Sequence, residues 1–221
     1  MGKFAPSPFN WIDRLPTEER RAVQRSLAPL RSREGGDIFT TETVAKGIYR
    51  VLGGRADMYL LSPGGEQVLL KRFDPGESFG EVATLDRDAY PVSVSVDPDT
   101  IIGFMPIARA QALMREYPGI NASIQAAVSR YGRAALKFFY SAVTGTAAER
   151  VRDRLAWLAE NQASSAGSNV VEITQAELAS MIGLSRQTTN EALAQLSRDQ
   201  RIRLGKGQIF ILPDRPASGA E

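Results

Sequence analysis

One short segment near the C-terminus limits the possible folds more than any other part of the chain. Thr174 and Glu177 stand three residues apart, the spacing of a capping box, in which each side chain binds a backbone N–H at the start of a helix. Gly183 is typical of the end of such a helix, and Ser185 is a typical N-cap for a second helix that begins at Arg186. Two helices joined by so short a turn predict a helix-turn-helix motif.

The second predicted helix has two contrasting sides. At about 100° per residue, one arc collects residues that we expect to be buried: Thr189, Ala192, Leu193 and Leu196. The opposite arc is mostly polar and should face solvent: Arg186, Gln187, Asn190, Glu191, Ala194 and Arg198. An isolated helix of this kind would be interpreted as an ordinary surface helix. The preceding helix and the segment that follows favour a recognition helix instead.

The residues at the start of this helix suit contact with duplex DNA. Arginine can bind a guanine edge with two hydrogen bonds, and glutamine and asparagine can do the same with adenine. Short hydroxyl side chains can bind phosphate oxygens. The candidate DNA-binding residues are therefore Thr174, Ser185, Arg186, Gln187, Thr188, Asn190, Glu191 and Lys206.

Residues 201–212 extend the motif. They form two apolar runs on either side of Gly205-Lys206-Gly207, which predicts a β-hairpin, the wing of a winged helix-turn-helix. From Arg186 to Lys206 there are five cations against two acids. This local excess matters, because phosphate contact depends on where the cations lie. The formal net charge of +2 would not by itself indicate a nucleic-acid partner.

The first half of the chain has a different pattern. A helix is expected from about Phe9 to Leu30. From there to about Met105, short apolar runs alternate with turn sequences such as Gly35-Gly36 and Asp74-Pro75-Gly76, which predicts an all-β barrel or roll.

A long helical pattern follows Pro106 and continues to about Val143, with a break near Tyr117. Its second part carries a heptad seam, which predicts a partner helix from a second copy of the chain. The candidate dimer-interface residues are Ile124, Val128, Tyr131, Ala135, Phe138 and Ala142. The alternative is a helix packed on its own domain, and further apolar residues widen the stripe enough for both. Residues 141–146 are mostly small or β-branched and predict a hinge.

These patterns together predict an α+β chain with an N-terminal β-roll, a long dimerisation helix and a C-terminal winged helix-turn-helix. The expected domains are residues 1–106 for an N-terminal helix and the β-roll sensor, 107–145 for the dimerisation helix and hinge, 146–215 for the DNA-binding domain, and 216–221 for a tail.

Composition excludes several functions. The chain of 221 residues contains neither cysteine nor histidine, which removes disulfides, iron-sulfur clusters, the commonest metal ligands and the usual general base. Glu81 and Asp86 lack the partner groups of a catalytic site, so we expect no enzyme, no metal and no cofactor. The N-terminus lacks a secretion-signal pattern, and no stretch reaches the roughly 20 apolar residues of a membrane helix. A cytoplasmic protein without a membrane partner is expected.

In their order along the chain, these motifs resemble the Crp/Fnr superfamily of transcription regulators. The resemblance is carried by Phe79-Gly80-Glu81, the long helix, residues 173–177 and the segment from Gly183 to Thr188. It implies a homodimer on a palindromic operator, with RNA polymerase as a further partner. In the family, the arginine that opens the recognition helix contacts guanine, and Arg186 matches it. The next residue, usually glutamate, reads the opposing strand, and here it is Gln187.

The sensor departs from the cyclic-nucleotide-binding members of that superfamily. In those members, Gly-Glu is followed by an arginine that binds the cyclic phosphate, whereas Gly80-Glu81 leads here to Tyr90-Pro91. Without that ion pair, cyclic AMP is not the expected effector. Arg87 either substitutes for the arginine or is an exposed loop residue. The candidate effector-binding residues are Gly80, Glu81, Val82, Arg87 and Tyr90.

Two questions stay open at the level of sequence. The effector can be an uncharged or aromatic compound, an unusual nucleotide, or absent altogether. The winged helix can also serve as a module that contacts a ligand or a protein, in which case no salt-dependent binding to duplex DNA is expected. If an effector does bind near residues 80–90, we expect it to shift the long helix and reorient the domain after the hinge.

Overall fold

The computed structural model describes residue 7, residues 9–161 and residues 169–213. The chain divides into two compact units, and the division falls between Ala134 and Ala135, within the long helix. The predicted tail, residues 216–221, lies outside the described residues.

The described residues form the following strands and helices. The strands are β1 (Ala28–Ser32), β2 (Gly36–Phe39), β3 (Gly47–Gly53), β4 (Ala56–Leu61), β5 (Gln67–Phe73), β6 (Ser78–Phe79), β7 (Ser93–Val96), β8 (Thr100–Pro106), β9 (Val170–Glu172), β10 (Ile202–Leu204) and β11 (Gln208–Ile211). The α-helices are α1 (Thr17–Arg25), α2 (Glu81–Asp86), α3 (Ile107–Glu116), α4 (Pro118–Thr144), α5 (Ala147–Asn161), α6 (Gln175–Ile182) and α7 (Arg186–Arg198), and a short 3-10 helix, Ile12–Arg14, precedes α1.

The first unit is a β-roll of two antiparallel four-stranded sheets. One sheet has the order β1-β8-β3-β6 and the other the order β2-β7-β4-β5. The predicted fold class, with its β-roll, long helix and C-terminal helix-turn-helix, is confirmed. The long helical pattern also breaks where expected, because α3 ends at Glu116 and α4 begins at Pro118.

The N-terminal helix is shorter than the sequence pattern predicted. It ends at Arg25, and the chain enters β1 at Ala28 instead of continuing to Leu30. Pro29 explains the difference, because proline has no N–H for a helical hydrogen bond and clashes with the preceding turn. In β1 it is tolerated, since that strand forms the edge of its sheet.

Aromatic rings fill the interior of the roll. Phe39 stacks on Tyr90 with ring centroids 3.7 Å apart, and Tyr49 stacks on Phe79 at 5.4 Å. The buried Tyr90 hydroxyl accepts hydrogen bonds from the backbone N–H groups of Lys46 (2.8 Å) and Gly47 (3.1 Å), and it donates to the Gly47 carbonyl (3.0 Å). The ring and the hydroxyl of Tyr90 therefore join two parts of the roll.

The second unit contains the winged helix. Its three-stranded sheet has the order β10-β11-β9, and α5, α6 and α7 pack on it around one apolar core. The buried members of that core are Val151, Leu155, Leu158, Val171, Ile173, Leu178, Ala192, Leu193, Leu196, Ile202 and Ile209.

The end of α4 is attached to α5 by a buried cation. The Arg154 guanidinium lies 4.5 Å from the Phe138 ring centroid and 4.8 Å from that of Trp157, and burial lowers the pKa of this arginine to about 10. One turn further along α4, the Ser141 hydroxyl donates to Asp153 at 3.3 Å. Only two residues, at positions 145 and 146, separate the two helices. The other residues of the predicted hinge, 141–144, belong to α4.

Candidate nucleic-acid interface

The first helix of the motif begins with the predicted capping box. The backbone N–H of Glu177 donates to the Thr174 hydroxyl at 3.1 Å, and the backbone N–H of Thr174 donates to the Glu177 carboxylate at 2.8 Å. These bonds satisfy donors that every helix leaves free at its start. The predicted start of α6 at Gln175 is confirmed.

The turn between the two helices is held at several points. Gly183 adopts a left-handed conformation with φ of 62°, which glycine accepts without a steric penalty. The N–H of Leu184 donates back to the Ala179 carbonyl at 3.1 Å, and the Arg150 side chain, from α5, donates to the Ile182 carbonyl. The Ser185 hydroxyl then accepts from the Thr188 N–H at 3.0 Å, so the predicted start of α7 at Arg186 is confirmed.

The two arcs of α7 are buried and exposed as expected. Thr189, Ala192, Leu193 and Leu196 are all buried, and the Thr189 hydroxyl is satisfied by the Ser185 carbonyl at 2.9 Å. The opposite arc is exposed: Arg186, Gln187, Asn190, Glu191, Ala194 and Arg198. The start of α7 thus presents a cation, two amides and a carboxylate on one accessible surface.

In this structure, the candidate hydroxyl groups form hydrogen bonds at the starts of α6 and α7. Thr174 belongs to the capping box, and the Ser185 and Thr188 hydroxyls lie 2.8 Å apart at the start of α7. Thr174 and Ser185 are exposed and Thr188 is partly buried. Their position at helix N-termini, where backbone N–H groups and the helix dipole favour anions, is compatible with phosphate contact.

The wing carries a cation that the predicted set of site residues omitted. Arg203 is exposed, and its guanidinium lies 4.2 Å from the Phe210 ring centroid on the neighbouring strand. The two residues are paired across β10 and β11, so the hairpin register in the sequence contained this signal. Lys206 is exposed at the hairpin tip, where Gly207 has a φ of 71°.

The predicted effector segment contacts the segment that precedes α1. Glu81 is fully buried, and its carboxylate accepts a hydrogen bond from the Trp11 indole at 2.9 Å. Burial raises the pKa of this carboxyl, while the Trp11 hydrogen bond opposes that rise. Gly80 has a φ of 95°, and a Cβ there would lie 2.5 Å from the Gly47 carbonyl oxygen.

The five predicted effector contacts are therefore placed in different environments. Arg87 is exposed and donates to the Gln111 side chain at 3.0 Å, and Val82 is partly buried. Glu81 and Tyr90 do not present free side chains to an effector, contrary to expectation. Both are buried and already bind groups of the chain itself. In this arrangement, neither side chain has a surface that an effector could contact.

Four of the six predicted dimer-interface residues are at least partly covered by the chain itself. Ile124 is completely buried in the core of the first unit, Tyr131 stacks on Phe9 at 4.5 Å, and Phe138 packs edge-on against Trp157 at 5.3 Å. Val128 is partly buried, and only Ala135 and Ala142 of the predicted set are exposed.

A second heptad, one residue further along, is exposed throughout. Its members are Gln125, Ser129, Gly132, Leu136, Phe139 and Val143. Leu136, Phe139 and Val143 are 70%, 69% and 68% exposed, fractions far larger than those of a packed apolar side chain. These apolar side chains are therefore available for contact with another helix, with the same heptad spacing as the predicted set.

Two negative findings apply to the described ranges, 9–161 and 169–213. They contain no group of acidic residues placed to hold a metal ion. None of their helices combines the length and apolar character needed to cross a membrane.

Comparison with known proteins agrees with this architecture. The model of the Crp-like helix-turn-helix domain matches residues 149–217, and that of the cyclic nucleotide-binding domain matches residues 30–117. The Cyclic AMP receptor protein of Thermus thermophilus is 27% identical over 194 residues, which cover 85% of this chain and 83% of that protein. The CRP-like cAMP-activated global transcriptional regulator of Mycobacterium tuberculosis is 23% identical over 196 residues, 87% of each chain.

Solved structures show the same fold. The c-di-GMP responsive global regulator CLP of Xanthomonas campestris aligns with a TM-score of 0.70 at 17% identity, over 90% of this chain and 100% of that one. FixK2 of Bradyrhizobium japonicum aligns with a TM-score of 0.69 at 19% identity, over 84% of this chain and 92% of that one.

The roll, the long helix and the Crp-like winged helix define a DNA-binding transcription regulator. The chain belongs to the Crp/Fnr family.

The contact between Trp11 and Glu81 makes a testable contribution to stability. Trp11→Phe removes the donor that stabilises the charged carboxylate, so the folded-state pKa of Glu81 rises further. Stability linked to a raised folded-state pKa is present at low pH and is lost as the pH rises through that pKa. We therefore expect Trp11→Phe to destabilise the fold by about 1–3 kcal/mol more at about pH 8 than at about pH 5, measured by urea unfolding.

A matched pair of variants isolates this effect. In a Glu81→Gln background, the pH-dependent part of the Trp11→Phe loss should vanish, while the loss from the smaller ring should remain. An equal loss at both pH values in the original background would show that the hydrogen bond does not stabilise the carboxylate.

Proposed function

We propose that this regulator is a homodimer that binds a palindromic operator by placing α7 of each copy in the major groove. The observation that carries the proposal is the exposed polar arc at the start of α7, whose opposite arc is anchored in the core. Arg186, Gln187 and Asn190 contact base edges, and Glu191 lies beside them. Thr174, Ser185, Thr188 and Lys206 contact the phosphate backbone.

The geometry of the motif suits this role. A recognition helix uses its N-terminal residues for base edges, and a major groove about 12 Å wide admits one helix. Arg186 stands at the first position of α7 and is exposed, so its guanidinium can reach a guanine. In the wing, the stacking of Arg203 on Phe210 orders a second cation, which supports backbone contact beside the groove.

The exposed heptad on α4 supports the dimer. Large apolar side chains repeated at three- and four-residue intervals along one helix face are typical of a coiled-coil seam. Gly132 lies in this face, and a Cβ there would meet nothing within 4 Å. An exposed glycine costs a helix about 1 kcal/mol relative to alanine. A close approach of the second helix at Gly132 gives this residue a function in the dimer.

The sensor supports control by something other than cyclic AMP. The name of the Thermus relative refers to cyclic AMP, but this chain has Tyr90 where the nucleotide-binding members have arginine, and the Tyr90 ring and hydroxyl are both engaged. Two proposals remain: the regulator binds an effector of different chemistry, or it needs no effector. The internal partners of Glu81 and Tyr90 favour a regulator without an effector. RNA polymerase is the proposed protein partner, and the cytoplasm the proposed location.

Base contact by Arg186 predicts that its removal weakens binding to one DNA sequence more than to others. On duplexes selected from a random pool, Arg186→Ala should weaken binding by about 1–3 kcal/mol, or roughly 5- to 150-fold, with little change on a shuffled duplex. Fluorescence anisotropy at several salt concentrations measures both, and binding by the unaltered chain should fall as salt rises, because phosphate contact releases counterions.

Arg198→Ala is the matched control. It removes the same side chain from the far end of α7, about 18 Å along the helix at 1.5 Å per residue. It should not lower the preference for the selected duplex over the shuffled one. If Arg186→Ala weakened both duplexes equally, Arg186 would be a phosphate contact and not a base reader.

The dimer seam is tested by a charge at its centre. Leu136→Glu places two carboxylates against each other across the proposed seam, so the dimer dissociation constant should rise at least about tenfold in sedimentation equilibrium. Leu136 is largely exposed within one chain, so the fold should survive. Leu30→Glu makes the same change at an exposed leucine of β1 and should leave the constant unchanged. A dimer unaffected by Leu136→Glu would contradict this seam.

A further inference from the structure

One side chain of the recognition helix holds another in a defined orientation. The Gln187 amide nitrogen donates to the Glu191 carboxylate at 3.1 Å, one helical turn away. A carboxylate only accepts hydrogen bonds, so the NH₂ group of the amide has to face Glu191. The Gln187 carbonyl oxygen and one remaining N–H are left for another partner.

We propose that Gln187 and Glu191 act as a unit that selects adenine at one position of each half-site. This inference rests on the proposed function, in which α7 lies in the major groove. Adenine presents one donor, N6–H, and one acceptor, N7, on its major-groove edge. The oriented amide offers the complementary acceptor and donor, so it forms two hydrogen bonds with adenine.

The other bases fit this arrangement less well. Guanine presents two acceptors, O6 and N7, and would need both N–H groups of the amide, one of which is held by Glu191. Cytosine offers a donor and thymine an acceptor, so each forms one hydrogen bond with the amide. Gln187 on its own could rotate to suit several of these edges. The contact with Glu191 removes that freedom.

The negative charge of Glu191 adds to the discrimination between bases. A carboxylate near the base edges repels the guanine and thymine oxygens and attracts the amino groups of adenine and cytosine. It also opposes binding to phosphates in general, because it lies on the exposed arc of α7, which faces the duplex in the proposed complex. Glu191 therefore lowers affinity for all DNA and raises selectivity, the combination expected of a positioning residue.

Selection from a random duplex pool tests the proposal when it is carried out with the full chain and four variants. Gln187→Ala identifies the operator position that this residue reads, and the unaltered chain should select adenine there. Glu191→Gln keeps the side-chain length but can donate as well as accept, so Gln187 is free to turn. Adenine preference at that position should fall at least about fivefold, while affinity for random duplexes should not fall.

Two control variants separate the orientation of the Gln187 amide from a general effect of charge and from a loss of folding. Asp199→Asn removes one negative charge just after α7 and should leave the adenine preference unchanged. Gln187→Glu places an acceptor-only side chain at the reading position and should shift the preference towards cytosine. The three side chains altered in the four variants are all exposed, so the unfolding midpoints of the variants should match that of the unaltered chain.

The outcomes distinguish this inference from the proposed function. The unaltered chain can select a symmetric site while Glu191→Gln keeps the same adenine preference. In that case Gln187 and Glu191 do not act as a unit, and the proposal of a palindromic operator stands. Guanine, cytosine or thymine at the position identified by Gln187→Ala would also overturn the pairing. If the unaltered chain enriches no site at all, both proposals fail together.

Discussion

Burial of one arc of α7 determines the rest of the DNA-binding surface. Thr189 and Leu193 have no solvent exposure, and Leu193 lies among side chains from α5, α6 and the three-stranded sheet. In a rigid helix, fixing one arc also fixes the direction of the opposite one. The turn at Gly183 then sets where the helix begins. The outward direction of Arg186 and Gln187 is a consequence of this packing, so mutations in the core should impair DNA binding without touching DNA.

The first unit depends in a similar way on its own N-terminal segment. Phe9 stacks on Tyr131 of the long helix, and Trp11 donates to Glu81 at the start of α2. The same short segment therefore contacts both the predicted effector segment and α4. These internal contacts, together with those of Tyr90, are the physical basis for proposing a regulator that needs no cyclic nucleotide.

The elements predicted correctly from the sequence are those encoded by local signals. The caps at Thr174 and Ser185 and the left-handed Gly183 are encoded within a few residues, so both helices were predicted at their observed starts. Prediction failed where partners are distant in sequence. Trp11 and Glu81 are 70 residues apart, and no local pattern pairs them. On α4, two heptads one residue apart both carry apolar side chains in their C-terminal half, and only contacts with Phe9 and Trp157 decide which heptad is covered.

In the proposed complex, two copies of α7 enter successive major grooves of one duplex. Methylation protection by dimethyl sulfate tests it directly, because the reagent reports guanine N7 in the major groove and adenine N3 in the minor groove. Two bound copies of α7 should protect guanines in two symmetric clusters, centred about 10 base pairs apart on one face of the duplex. Protection confined to adenine N3, or a single unpaired cluster of guanines, would contradict it.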